Sequence, residues 1–467
     1  MAIDFTHQDY NKYAPVWKKI SDISKIENVT SYLIPLNPHD ISEENRQRNE
    51  EYKDRAIFHP VTQHTVAGML SMLFARWPEL EVPPQLDYLK TNADGSGNSI
   101  YQQSQQVGLD LIRLSRSGLS VSFPKTDGVV SVADVSSGKI FATIQRYDPA
   151  QIINWRKTNI GSRSVLSLVV IRDKTEEVGA DGYSIEIVDT IREMHLDGGV
   201  YGERLWKEDK NGDWYIFDEY VPTDGSGSKW EEIPFTFIGS EDNDPSIDNP
   251  AMRGMAELNI GLFRNSAAYE DSVWFCGQAQ PWMSGITEDM IDLMKRNHMY
   301  VGSRNLIGVP AGEQFGFASA PPNPMARQAM LDKIDQMIML GARLLVPNLV
   351  ARTATEVEGN REVQHSTLSL ISSNLSEAYT RVIGWCGRYM AADTTDACYK
   401  TTMDFKVHSM KSDELRVMIE GFIQGAIPAI DYHNYLKLHD LTDKEQPFEE
   451  FQEGLNSLGG GMPDLGA

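Results

Sequence analysis

Gly138 and Lys139, in "DVSSGKI" (134–140), are the residue types with which a P-loop holds nucleotide phosphates. A P-loop also needs a glycine five residues before Gly138, and a serine or threonine after the lysine that meets the magnesium ion. Ala133 and Ile140 stand at these two places. The sequence therefore predicts a surface turn here rather than a nucleotide site.

Asp209, Asn211 and Asp213, in "DKNGDW", have the alternate spacing of the first ligands of a calcium loop. The sixth place of such a loop needs a glycine and the twelfth a glutamate, but Trp214 and Tyr220 occupy them. The turn-forming residues of "KNGDW" (210–214) indicate the tip of a β-hairpin instead.

Two further polar segments each allow two interpretations. "SEDNDPSIDN" (240–249) is acidic enough to attract a cation, but it also suits a solvated loop before a helix. "DGSGNS" (94–99) precedes a predicted helix and suits an anion at the helix start, but a turn with Ser99 as the N-cap explains it as well. His433 and His439 lie six residues apart on a predicted helix, hence on different faces.

The cysteines offer no metal or redox pattern either. They are far apart and form no CxxC pair, so we expect neither a disulfide framework nor a zinc site at Cys276, Cys386 and Cys398. HExxH and GxSxG motifs are absent from the sequence. The sequence thus predicts no catalytic residue, no cofactor and no metal ion, and therefore no enzyme.

Composition limits the class of protein. The 467 residues are enough for two to four domains, and 41 % apolar with 23 % charged residues is typical of a folded globular chain. We find no apolar run of transmembrane length and no signal-peptide pattern at the start, which predicts a cytosol-like compartment. A formal charge of −23 disfavours a tight grip on nucleic acid but not the loose passage of DNA past an acidic wall.

Hydrophobic periodicity divides the chain into helical and β-rich parts. Residues 1 to about 90 are predicted to be mostly helical, and a further helix is predicted from Ser99 to a stop at Gly118. Seven short segments between about 119 and 240, among them "IINWR" (152–156), are rich in β-branched and aromatic residues and predict strands.

The second half of the chain predicts two long helices around a small insertion. The helices cover 250–275 and 325–345, and the latter places Met330, Ile334, Met337, Ile338, Gly341 and Leu345 on one side. The insertion between them predicts a strand, a helix beginning after Thr287, and a strand pair. A loop, a longer helix ending near 390, one strand after about 400 and a helical tail follow.

This order of elements resembles the portal protein of tailed bacteriophages, the ring through which DNA enters and leaves the capsid. The residues that open the long helix, Thr353, Ala354, Thr355, Glu356 and Val357 ("TATEV"), are similar to a motif at that place in many portals. "YKDRAIFHPVTQHTVAGMLSMLFARWP" (52–78) and "IINWR" also resemble portal segments.

The resemblance implies an α+β portal-like fold with seven parts. They are a helical, then β-rich wing (1–249), two stem helices (250–275 and 325–345), a small α/β clip between them (276–324), a tunnel loop (346–354), a long helix that returns to the wing (355–410), and a short helical crown with a flexible tail (411–467). A long unbroken helix would hold the channel loop at a fixed position relative to the outer wing. The alternative is a long core helix of an ordinary all-α domain.

The resemblance also implies function and partners. Such a chain forms a homo-oligomeric ring of twelve subunits at one capsid vertex of the virion, after assembly in the host cytoplasm. Double-stranded DNA passes through it, terminase and a tail adaptor dock on it, capsid or scaffolding protein surrounds it, and no membrane is involved. The expected DNA-channel residues are Arg343, Pro347, Asn348 and Arg352.

Arg343 or Arg352 is expected to touch phosphates transiently, although a salt bridge between neighbouring subunits is an equal alternative. Two other functions remain open. One is another capsid-vertex or head–tail adaptor protein, which is usually shorter and lacks the helix–insertion–helix order. The other is a hydrolase with an unrecognised site.

Overall fold

The computed structural model describes residues 3–125, 140–178, 181–209, 211–277, 280–285, 287–296, 312, 314–318, 324–345, 367–402, 418, 427–438, 442 and 447–452. The chain divides into two compact units, Met1–Met403 and Asp404–Ala467. The first unit combines helices and antiparallel sheets, which confirms the α+β class. No helix in the described ranges has the length and apolar character needed to span a bilayer.

The first part of the chain is helical, as predicted. Its helices are α1 (Gln8–Lys25), α2 (Glu43–Arg55), α3 (Val61–Leu73) and α4 (Ile100–Leu114). α2 begins after Ser42, whose side chain accepts a hydrogen bond from the backbone N–H of Asn45. α4 begins with a reciprocal capping box in which the side chain of Ser99 pairs with Gln102.

Helix α4 ends earlier than the sequence predicts. Its C-cap is Ser115, in the left-handed conformation (φ 58°), and not Gly118. Gly118 lies instead in the following strand, where a Cβ atom would stand 2.7 Å from both Ile152 Cδ1 and Phe235 Cζ. This glycine serves close packing between a strand and its neighbours rather than the end of a helix.

Two antiparallel sheets form the β-rich part. The smaller has the order β3-β2-β9, with β2 (Arg116–Ser122), β3 (Thr143–Tyr147) and β9 (Phe235–Gly239). The larger runs β4-β5-β6-β7-β8, with β4 (Ile152–Ile160), β5 (Arg163–Val178), β6 (Ile185–Asp197), β7 (Val200–Glu208) and β8 (Trp214–Tyr220). The predicted strands are present, but β7 was missed because its "GER" segment interrupts the β-branched pattern.

The described elements of the second half of the unit come in the predicted order, but one strand of the predicted pair in the insertion and most of the strand predicted after about 400 lie outside the described residues. It contains α5 (Arg253–Gly277), β10 (Gln280–Met283), α6 (Glu288–Arg296), β11 (Phe315–Ala318), α7 (Pro324–Leu345), α8 (Thr367–Met390) and β12 (Cys398–Lys400). β10 pairs with β11, and β12 pairs with a short strand missed by the sequence analysis, β1 (Glu79–Glu81). The long helix ends at Met390, where its apolar pattern predicts the end, and residues 355–366 of its expected span lie outside the described residues.

Helix α8 is the centre of the first unit. Its predicted apolar residues are all buried: Leu368, Ile371, Leu375, Ala378, Val382, Trp385 and Tyr389. Tyr379, Ile383 and Cys386 are buried as well, so neighbours cover the helix on most sides. It packs against α4 and against β2, β3 and β9. An all-α domain, the alternative considered for this helix, is therefore wrong.

A polar cluster closes the end of α1. The Asp22 carboxylate accepts hydrogen bonds from Lys18 Nζ (2.7 Å) and Tyr32 Oη (2.8 Å). Burial raises the pKa of Asp22, but these two donors outweigh it, and the pKa lies below its ordinary value of 3.8. The cluster ties α1 to the turn at Val29–Tyr32.

In the second unit the structure describes α9 (Ala429–Leu438), which begins after Pro428 as expected of a helix start. His433 on this helix is buried and stacks on Phe451, with ring centroids 4.4 Å apart. It has a packing role. His439 lies outside the described residues.

Candidate subunit interface

The segments with possible ion chemistry are structural turns. The Asp209 carboxylate accepts hydrogen bonds from the backbone N–H groups of Asn211 (2.8 Å) and Asp213 (2.9 Å) at the tip between β7 and β8. In the loop before α4, Asp94 Oδ1 accepts from the N–H groups of Ser96 (2.9 Å) and Asn98 (3.1 Å). These donors are already satisfied by a carboxylate of the chain itself, so the loop is not an open anion cradle.

The acidic segment 240–249 is a folded loop and not a merely solvated one. The guanidinium of Arg116 is buried over the rings of Trp155 and Phe237, with its Cζ atom 4.4 and 4.0 Å from their centroids. It donates hydrogen bonds to the backbone oxygens of Pro245 (3.0 Å) and Ser246. Burial lowers the pKa of Arg116 to about 9. No sequence pattern predicts this contact, because its partners are about 130 residues apart.

The described ranges offer no site for metal or thiol chemistry. They contain no group of three or more His, Cys, Asp or Glu side chains placed to hold a metal ion. None of the three cysteines forms a disulfide bond. Burial raises the pKa of the Cys386 thiol, which removes its reactivity at neutral pH. The P-loop candidate 134–139 lies outside the described residues.

The side chains of the expected DNA-channel residues lie outside the part of the chain that the structure describes. Arg343 lies in the last turn of α7, where the backbone but not the side chain is described. Pro347, Asn348 and Arg352 lie outside the described residues, as does the motif at 353–357. Their roles stay predictions.

The described residues point instead to the paired helices α5 and α7. The first half of α5 is anchored in the helical part of the unit, where it packs against α1, α2 and α3. Asn259 is fully buried and accepts hydrogen bonds from the backbone N–H and the hydroxyl of Thr62 (3.0 and 2.9 Å). Its amide donates to His59 O (2.9 Å). The Asn259 side chain thereby accepts from a backbone N–H in the first turn of α3, which has no partner within its own helix.

The two helices run antiparallel in close contact. A Cβ atom on Gly254 would lie 3.4 Å from Leu340 Cδ2, and one on Gly261 would lie 2.8 Å from Lys333 Cε. The small residues of α5 therefore let α7 approach closely. The insertion formed by β10, α6 and β11 connects α5 to α7, and we call it the knob.

The surface of this pair is unusually apolar for a single chain in water. Among the α7 side chains that the structure describes, residues 324–341, only Met337 is buried. Ile338 is 63 % exposed and Met339 55 % exposed, although the predicted apolar side of α7 groups Ile338 with the buried Met337. Other exposed large apolar residues of the pair and the knob are Val273, Trp274, Phe275, Trp282, Ile291, Phe317, Met325 and Leu331.

Apolar residues exposed over such a length are typical of a surface that another protein covers. A single apolar stripe on α7, as predicted from the sequence, does not include this property. The available signal was that the apolar residues of "MARQAMLDKIDQMIMLGA" lie all around the helix. We therefore treat the α5–α7 pair and the knob as a candidate subunit interface.

Comparisons with known proteins cover the same region. Residues 251–390 match the family described as "Domain of unknown function (DUF4055)". This match begins just before α5 and ends with α8, so it includes the helix pair, the knob and the long helix. No curated protein matches the chain.

Two solved structures overlap the chain more broadly but with low similarity. One is described as "Virion of native gene transfer agent (GTA) particle", with 15 % identity, a TM-score of 0.39, and coverage of 80 % of this chain and 87 % of that chain. The other is described as "Neck of empty GTA particle computed with C6 symmetry", with 12 % identity, a TM-score of 0.40, and coverage of 79 % and 87 %. Structural similarity at these TM-scores and identities carries no argument about function, which has to be inferred from the chain's own elements.

Proposed function

We propose that the chain is the subunit of a portal ring at one capsid vertex of a tailed phage or phage-like particle. The observation that carries the proposal is the antiparallel pair α5–α7, which leaves the helical part of the unit, ends in a knob and exposes apolar residues along its length. Copies placed side by side cover these residues, and head-to-tail contacts of this kind close into rings.

Each part of the fold takes a role in this proposal. The helices α1 to α4 and the sheets form the wing, α5 and α7 the stem, and the knob the clip that meets terminase and then the tail adaptor. Helix α8, buried in the wing from Leu368 to Tyr389, connects the wing with the loop at 346–354. Twelve copies, the crown beyond 411 and contacts with capsid or scaffolding protein belong to the same proposal.

The charge of the chain suits a channel rather than a clamp. A protein that neutralises many phosphates releases counterions and binds DNA tightly. A subunit with a net charge of −23 avoids such a grip, so double-stranded DNA can move in during packaging and out during ejection. Arg343 and Arg352 are the basic residues that we expect to touch the phosphates transiently.

Replacement of residues 280–318 by a short glycine–serine linker tests this role in a producing host. We expect the purified variant to keep the melting temperature of the wing, because α5 is anchored through Asn259 and not through the knob. Heads made with it should contain no DNA. DNA-filled heads without tails would indicate an adaptor instead, and DNA-filled infectious particles would refute the portal role.

A further inference from the structure

The outer part of the β5–β6 hairpin projects from its sheet as a two-stranded ribbon. β4 pairs with β5 only up to Ile171, and β7 pairs with β6 only from Thr190 onward. Beyond these positions the described residues of the two strands pair only with each other, except that the backbone N–H of Arg172 donates to Gln151 O (2.8 Å). We name residues 172–178 and 181–189 the arm. A free two-stranded hairpin is marginally stable in water, so the arm gains stability from a surface that covers it.

The arm exposes large apolar side chains. Tyr183 is 94 % exposed, and Val178, Ile185 and Ile187 are all more exposed than buried. The carboxylate of Asp181 accepts hydrogen bonds from the backbone N–H groups of Ser184 (2.8 Å) and Tyr183 (2.9 Å). These bonds lower the pKa of Asp181 to about 2. The turn therefore presents an aromatic ring next to a fixed negative charge.

The two ends of β5 carry opposite charge. Residues 172–189, on the side of the arm, include six acidic and two basic residues. Residues 156–163, at the β4–β5 turn, include three basic and no acidic residues. At about 3.3 Å per residue, the 12 steps from Leu166 to Val178 separate these ends by about 40 Å. The arm cannot fold back onto the basic end of its own sheet.

A cavity of about 550 Å³ lies at the basic end. Val165, Leu166, Phe235, Phe237 and Trp385 give it apolar walls, and Lys157, Arg163 and Arg381 add three positive charges. Two acidic residues, Glu232 and Asp244, also line it, and Glu232 lies 3.9 Å from the Arg163 guanidinium, so the charged residues of the lining sum to +1. Its volume lies within the roughly 300–1,000 Å³ of sites that hold drug-sized molecules, which is enough for a hairpin turn.

We propose that the arm of one copy, led by Tyr183, docks in this cavity of the next copy. The charge complementarity and the opposite positions of the two surfaces on one strand favour a second copy of the chain as the occupant. The contact is heterologous, so each copy gives an arm and receives one. Tyrosine is among the residues that most often anchor an interface. The inference rests on the proposed ring and names the contact between neighbouring wings.

A pair of cysteines tests the contact. Tyr183→Cys and Ser164→Cys are introduced together in a chain in which Cys276 and Cys398 are replaced by serine. Ser164 lines the cavity and is exposed. A disulfide needs Cα atoms within about 7 Å, so it cannot form within one chain. We expect a ladder of disulfide-linked oligomers after mild oxidation. The matched control pairs Ser164→Cys with Ile41→Cys, since Ile41 is 87 % exposed but outside the arm.

Three results decide the matter. A ladder for the Tyr183 pair that is absent from the control supports the proposal. Rings in images of the same sample without a ladder, or with an equal ladder in the control, overturn the docking of the arm while the portal ring stands. A wild-type chain that stays monomeric at every concentration, and gives no ladder in the cysteine variant, overturns both.

Tyr183→Ser should also raise the concentration for half-assembly at least tenfold with an unchanged melting temperature.

Discussion

Ile338 offers a sharp test of the apolar surface on α7, because its role in one copy differs from its role in an assembly. The side chain is 63 % exposed in the single chain, so Ile338→Ser removes little packing within the subunit. In the proposed ring a neighbour covers the exposed part. The variant should therefore fold as the wild type does but assemble more weakly.

The size of the effect follows from the exposed surface. Full burial of an isoleucine side chain contributes about 1.5–3 kcal/mol. With 63 % of it still exposed, contact with a neighbour contributes about 1–2 kcal/mol. Since about 1.4 kcal/mol corresponds to a tenfold change in Kd, we expect Ile338→Ser to raise the Kd of one contact by about five- to thirtyfold.

Mass photometry over a dilution series measures this change directly, with circular dichroism to compare melting temperatures. Ile41→Ser is the matched control, because Ile41 is 87 % exposed but lies before α2, away from the helix pair. The control should assemble like the wild type. Equal dissociation curves for the wild type and both variants would refute the reasoning, since α7 would then not lie in a contact between copies.

Three other predictions concern the subunit itself. Gly384→Ala in α8 meets no atom within 4 Å and should stabilise the helix by about 0.5–1 kcal/mol, whereas Gly387→Ala, whose Cβ would lie 2.3 Å from the Thr394 side chain, should lower the melting temperature. Asn259→Ala leaves the buried N–H and hydroxyl of Thr62 without their partner and removes the bond to His59 O, and chemical denaturation should show a loss of about 3 kcal/mol, with a loss below about 1 kcal/mol contradicting it. Because the pKa of Asp22 is lowered in the folded state, its contribution is complete above pH about 4 and lost as the pH falls further. The difference in melting temperature between wild type and Asp22→Asn should thus shrink from pH 7 to pH 3, and a constant difference would rule out this linkage.

Local patterns in the sequence predicted most elements of the fold. The apolar spacing in "LSLISSNLSEAYTRVIGWCGRY" predicts the buried residues of α8 correctly, because a helix buried on several sides keeps its period. The Ser99 cap and the "KNGDW" hairpin were also predicted, since both depend on neighbouring residues alone. The element order from α5 through the knob to α7 is likewise a local property.

Features that depend on distant residues could not be predicted. The end of α4 at Ser115 and the use of Gly118 for packing depend on Ile152 and Phe235, which the sequence does not place nearby. The short β1–β12 pair joins residues about 320 positions apart. The exposure of Ile338 could not be predicted from a single apolar stripe, because the apolar residues of α7 lie all around the helix.

Direct imaging of the purified wild-type chain by negative-stain electron microscopy tests the portal account most simply. The account predicts rings of many copies around an axial opening, with narrow extensions where the knobs meet on one side. Compact single particles without an opening, at concentrations where the chain is folded, would contradict it.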